Sequence, residues 1–124
     1  MNLIESLFYN GYQPTFIVKG LRMSLILSPD RLRRLLLYLI SATRGGPVRA
    51  LILATLKDEP MNANQLKQRL GYDYSTIKHH LDVLTENRLV EPVGGKYGQI
   101  YFLSSLLQEN YGNFLEILGK FGKK

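Results

Sequence analysis

The sequence has no cysteine, which removes disulfides, thiolate metal sites and cysteine nucleophiles at once. It has only two histidines, His79 and His80, and they are adjacent. A zinc site needs at least about three converging ligands, and neighbouring helix positions point about 100° apart, so the pair is poorly placed to serve one metal. No metal and no cofactor is expected. Long apolar runs are also missing. LILS at 25–28, LLLYLI at 35–40 and ALILATL at 50–56 are each broken by charge, Gly or Pro well short of the roughly 20 residues of a bilayer span, so no membrane helix is expected. The N-terminus carries Glu5 and no leading basic residues, unlike a secretory signal, and a cytoplasmic location is the expectation. There is no internal repeat or low-complexity tract.

A chain of 124 residues has room for one full domain and can bury enough apolar surface to fold without staples. Its net charge of +6 and pI of 9.7 suit a polyanionic partner without requiring one. Placement of that charge matters more than its sum. Residues 31–56 carry Arg31, Arg33, Arg34, Arg44 and Arg49 and no acid, whereas residues 57–91 carry five bases against six acids. Any argument for a nucleic-acid surface in the central part must rest on individual side chains.

Residues 1–28 read as an N-terminal arm or extension. Phe8, Tyr9, Tyr12 and Phe16 cluster with Gly11 and Pro14, and the alternation through Leu21, Met23, Leu25 and Leu27 favours a short strand or extended segment. Met23 is a second possible start, and the sequence alone leaves both starts open. Ser28-Pro29-Asp30 is a helix start, with serine as cap, proline at the first turn and aspartate complementing the dipole. The helix is expected to run to about Thr43 with Leu32, Leu35, Leu36 and Leu39 as its apolar stripe, closed by Arg44-Gly45-Gly46. A second helix begins at Pro47 and carries Val48, Leu51, Ile52 and Leu56. Asn62 or Asn64 caps a third, ended by Gly71, and Asp73 caps a fourth whose buried stripe is Ile77, Leu81 and Leu84. Helix, short turn and helix is a helix-turn-helix pattern. LVEPV (89–93), GGKYG (94–98) and QIYFLS (99–104) then read as a β-hairpin, and Ser105 to Gln108 is a capping box opening a last helix.

The predicted fold is mainly α with a small β-hairpin: a winged helix-turn-helix with extra N- and C-terminal helices. The domain is expected over 29–118, with 119–124 as a flexible basic tail. Residues 47–104, about half the chain, resemble ArsR-type winged helix-turn-helix transcription regulators, particularly archaeal ones. The resemblance is carried by PVRALILATLKDEPMNANQLKQRLGYD, by YSTIKHHLDVLTENRLVEPV and by GGKYGQIYFLS. Its most specific part is Ser75, Thr76, Ile77, His80, Leu81 and Leu84 followed by Asn87 to Val90, and glycine commonly stands in the family where Arg88 stands here. The resemblance implies a homodimer on operator DNA, with the helix from about 74 to 87 in the major groove and the wing near the minor groove or backbone. The family's thiol-based metal site has no cysteine to supply it here.

The densest group of reactive side chains, DYSTIKHHLDVL at 73–84, admits two readings. Ser75 with a histidine four or five residues on resembles a nucleophile and base, but no oriented third group or oxyanion hole accompanies them, and no catalytic residue is assigned. On the helix reading, His80 packs against the neighbouring helix, while Tyr74, Ser75, Thr76, Lys78, His79 and Asp82 lie at or near the outward face. Early exposed residues of a recognition helix reach base edges, and hydroxyls near its start reach phosphates. The expected partner is double-stranded DNA. Lys96 and Tyr97 at the hairpin tip suit phosphate contact, though an exposed lysine needs no function. The five arginines of 31–56 are either a solvated face or an extension of the DNA footprint. Leu107, Phe114, Leu115 and Leu118 are either core or, with the 29–43 helix, a two-fold interface; a homodimer is expected. The competing function is a winged-helix protein-interaction module, with Asp58, Glu59, Asp82, Glu86 and Glu91 as partner contacts.

Overall fold

The computed structural model describes residues 29–95 and 97–122. The N-terminal arm, the Ser28 cap, Lys96 and the last two residues of the basic tail lie outside the described residues.

Helix α1, Pro29–Leu36, passes directly into a widened π segment, Leu37–Ser41, where the Ala42 N–H is shared between the carbonyls of Leu37 and Tyr38 at 3.2 and 3.3 Å. The expected stripe of Leu32, Leu35, Leu36 and Leu39 is buried, but the helix ends before Thr43 because the π turn releases it. Helix α2 spans Gly46–Asp58. Its tight junction with the π segment depends on Gly46, where a Cβ would stand 1.8 Å from the Ile40 carbonyl oxygen. Within α2 the expected stripe is corrected. Leu53 and Ala50 join Ile52 and Leu56 in the core, Leu51 is 44 % exposed, and Arg49 turns inward.

A two-residue strand β1, Met61–Asn62, leads into α3, Ala63–Leu70. Asn62 makes a full capping box: its side chain accepts the Gln65 N–H and Gln65 Oε1 accepts the Asn62 N–H, both at 2.8 Å. Gly71 closes α3 in the left-handed region. Helix α4 is Tyr74–Glu86, capped by Asp73. Strands β2, Val90–Val93, and β3, Ile100–Leu103, form the expected hairpin, and β1 pairs with the other side of β3 to give an antiparallel sheet of order β1-β3-β2. The register sets Met61 opposite Tyr101 and Val90 opposite Leu103. Pro92 is tolerated because β2 is an edge strand.

The C-terminal region is two helices rather than one: α5, Ser105–Glu109, and α6, Tyr111–Gly122. Ser104, not Ser105, is the cap; its hydroxyl accepts the Leu107 N–H, while the Gln108 amide donates back to the Leu103 carbonyl. Phe114 and Ile117 bury one face of α6 where it packs on α1 and the π segment, and Arg33 pairs with Glu116 across that contact. One core therefore joins the flanking helices, the helix-turn-helix and the base of the hairpin.

Candidate nucleic-acid interface

The outward face of α4 follows from its cap and its apolar stripe. Asp73 Oδ1 accepts the Thr76 N–H at 2.8 Å and the Ser75 hydroxyl at 3.1 Å. The Thr76 hydrogen bond, chiefly, holds this carboxyl below its ordinary range. Ile77, His80, Leu81 and Leu84 enter the core. That leaves Tyr74, Ser75, His79, Asp82 and Glu86 exposed, with Thr76 and Lys78 half-buried beside them. The Lys78 ammonium donates to Asp82 Oδ1 at 2.6 Å, and this contact raises its pKa.

A shallow concavity of about 140 Å³ connects this face to the wing. It is lined by Tyr74 and Lys78 of α4, by Asn62 and Asn64 at the start of α3, and by Gln99 and Tyr101 of the hairpin. Asn64 and Gln99 were not among the expected site residues. Asn64 carried only the signal of a possible cap, and Gln99 carried none. Tyr97 at the hairpin tip is 87 % exposed, whereas Lys96 lies outside the described residues. Ser75, Lys78, His79 and Tyr74 are thus brought onto one helix face, and Tyr97 stands apart from them on the wing.

Behind this outward face lies a buried polar hub. Arg49 is 6 % exposed and His80 8 %. Arg49 Nε donates to the Leu39 carbonyl at 3.1 Å, Nη2 donates to the Thr43 hydroxyl, and Nη1 lies 3.1 Å from His80 Nδ1. A guanidinium has no acceptor, so His80 Nδ1 must accept and its proton resides on Nε2. Burial, then the Arg49 charge, then His79 push the His80 pKa down to about 4. Desolvation lowers Arg49 as well. The expectation that Arg49 forms part of a solvated face or DNA footprint is therefore corrected: three neutral acceptors satisfy its guanidinium inside the domain. Gly45 closes over the hub, where a Cβ would lie 2.6 Å from His80 Cε1.

The described residues contain no group of three or more His, Asp or Glu able to hold a metal, and no helix among them is long and apolar enough to cross a membrane.

Three core helices with a hairpin wing, and an outward second helix of the helix-turn-helix, define a winged helix-turn-helix domain. Residues 39–106, 68 of 124, match the family described as methanogenesis regulatory protein FilR1, N-terminal domain, and the chain belongs to that family. Among solved structures it is similar to HlyU from Vibrio cholerae N16961, at 23 % identity and a TM-score of 0.54, over 78 % of this chain and 99 % of that one. Reduced HlyU from the same source gives 24 % and 0.53, over 77 % and 94 %. A probable transcriptional regulator from Pseudomonas aeruginosa gives 18 % and 0.52, over 77 % and 78 %. At these identities the likeness establishes the fold alone. No protein of curated function matches the sequence.

Proposed function

We propose that this protein is a sequence-specific DNA-binding transcriptional regulator of ArsR-like type, acting as a homodimer and without catalysis or cofactor. The observation that carries this reading is the outward face of α4, where Tyr74, Ser75, Lys78 and His79 stand together beside the wing on a scaffold with one continuous core. The family's regulatory description supports it. Tyr74, Lys78 and His79 are assigned to base edges, and Ser75 and Thr76 to the adjoining phosphates. Tyr97 and Lys96 are assigned to the backbone beside the wing.

The homodimer rests on fewer residues than the sequence suggested, because Leu107 and Phe114 belong to the monomer core. Leu115, 55 % exposed on α6, and Tyr38 on the π segment remain available for a two-fold contact. Sedimentation at micromolar concentration tests this, and a monomer that binds DNA one chain per site would refute it.

The DNA reading is tested by selecting bound fragments from random duplexes and titrating the winner and a random duplex with salt. Specific binding that weakens steeply with salt is expected, because neutralised phosphates release counterions. Replacing Lys78 and His79 together by alanine should abolish or relax that binding while leaving circular dichroism unchanged. A flat salt response, with no selected sequence, would favour the protein-interaction module and its exposed acids Asp58, Glu59, Asp82, Glu86 and Glu91.

A further inference from the structure

The Lys78–Asp82 pair is the wrong way round for stabilising its own helix. A base placed N-terminal to an acid at i,i+4 opposes the helix dipole, and both side chains are substantially exposed, at 41 and 59 %, so the pair adds little to folding. Asp82 is also a poor residue for general attraction to DNA, since its charge repels phosphate. It nonetheless lies centrally on the exposed face, on the 75–79–82–86 stripe and one turn beyond Lys78.

What the pair does offer is a fixed order of hydrogen-bonding groups. Side chains on a helix lean toward its N-terminus, so the Asp82 carboxylate is carried back to the level of Lys78, where 2.6 Å separates the two. A multiple donor therefore stands directly beside an acceptor. Across the major groove, a G·C pair presents guanine N7 and O6 as acceptors and then cytosine N4 as a donor. An A·T pair instead places its donor, adenine N6, between two acceptors and adds the thymine methyl, which would desolvate a carboxylate without offering it a hydrogen bond.

Resting on the regulator reading above, we propose that Lys78 and Asp82 together read one G·C base pair in each half-site, Lys78 donating to guanine O6 and N7 and Asp82 accepting from cytosine N4. Asp82 is then a specificity determinant that lowers affinity for DNA in general and raises discrimination, by rejecting pairs that set an acceptor or the thymine methyl, rather than a donor, at its position.

The test is parallel selection of bound duplexes with the full-length wild-type protein, Asp82→Ala and Asp82→Asn, followed by methylation interference at guanine N7. Wild type should select one G·C pair per half-site whose guanine methylation blocks binding. Asp82→Ala should lose roughly tenfold of its discrimination at that pair alone, the scale of one base contact, and bind random DNA more tightly. Asp82→Asn should move the preference there toward A·T, because an amide pairs with adenine. Unchanged preferences in both variants would overturn the proposal while leaving the regulator reading intact, as would relaxation at an A·T position. Failure of the wild type to select any sequence would overturn both.

Discussion

Mild acid should weaken this domain through one buried ring. His80 is held neutral with a pKa of about 4, against an ordinary value of 6.5, because it is buried and its Nδ1 accepts from the Arg49 cation. The unfolded chain binds a proton near 6.5 that the folded chain refuses until about pH 4, so the stabilisation is complete above 6.5 and is lost as pH falls through that window. Across the whole window the difference is worth about 3 kcal/mol, and about 2 kcal/mol of it is gone by pH 5, a large part of the roughly 5–15 kcal/mol that holds a typical domain together. Urea unfolding followed by circular dichroism at pH 7.5 and pH 5 measures the loss directly. His80→Gln provides the control: its side-chain carbonyl can still accept from Arg49, it does not titrate, and every other group is common to both proteins. The variant should be less stable than wild type at pH 7.5 but lose about 2 kcal/mol less between the two pH values. Equal losses in the two proteins, or a His80 ring that titrates near 6.5 by NMR, would refute the hub as described.

Gly46→Ala should cost about 3 kcal/mol or prevent folding, since its Cβ would meet the Ile40 carbonyl oxygen at 1.8 Å and only backbone movement can relieve that; thermal melting reads it. Arg88→Gly should stabilise the domain by about 1 kcal/mol in urea, because Arg88 occupies the left-handed region at φ 61. Phe114→Ala should cost about 3–5 kcal/mol by emptying the fully buried contact between α6 and the flanking helices, again by urea unfolding. On the regulator reading, Lys96→Ala should weaken binding to all duplexes by a similar factor and make the salt slope shallower by about one; a changed sequence preference would remove the wing from a purely phosphate-binding role.

The helix-turn-helix was legible because its signals are local. Asn62, one of the two caps offered, Gly71 and Asp73 are each read from neighbours within four positions, and all three perform the expected work. Arg88 shows how a family pattern carries physics. The bonds Leu89 N–H to Leu84 carbonyl and Arg88 N–H to Thr85 carbonyl make the terminus of α4 a left-handed cap, where glycine is the ordinary occupant. What was not legible depends on distant partners. Strand β1 is only two residues long, and its pairing with β3 spans about forty positions, so no periodicity announces it. Arg49 is one of five arginines in an acid-free stretch, and only the fold shows that the Leu39 carbonyl, the Thr43 hydroxyl and the His80 imidazole meet it. The α5–α6 break at Asn110 is equally hidden in the apolar pattern; the Asn110 amide donates to the Leu106 carbonyl and ends the first helix there.

A polar hub at this depth is not explained by stability, since apolar residues of similar volume often fill such sites at equal or lower free energy. Its geometry supplies something that leucines do not. A guanidinium is planar, with donors in fixed directions, and here those directions join the end of the π segment, through Leu39 and Thr43, to one ring on α4. Rolling α4 about its axis would break the Nη1–Nδ1 contact at 3.1 Å, whereas apolar packing tolerates such a roll more readily. His79 precedes His80 by one helical step, so whatever fixes the inward direction of His80 also fixes the outward direction of His79 and, one position further back, the direction of Lys78. On the regulator reading, recognition requires those side chains to meet base edges within hydrogen-bonding tolerance. The hub then adds a directional contact to the Asp73 cap and the apolar stripe that together set their angle.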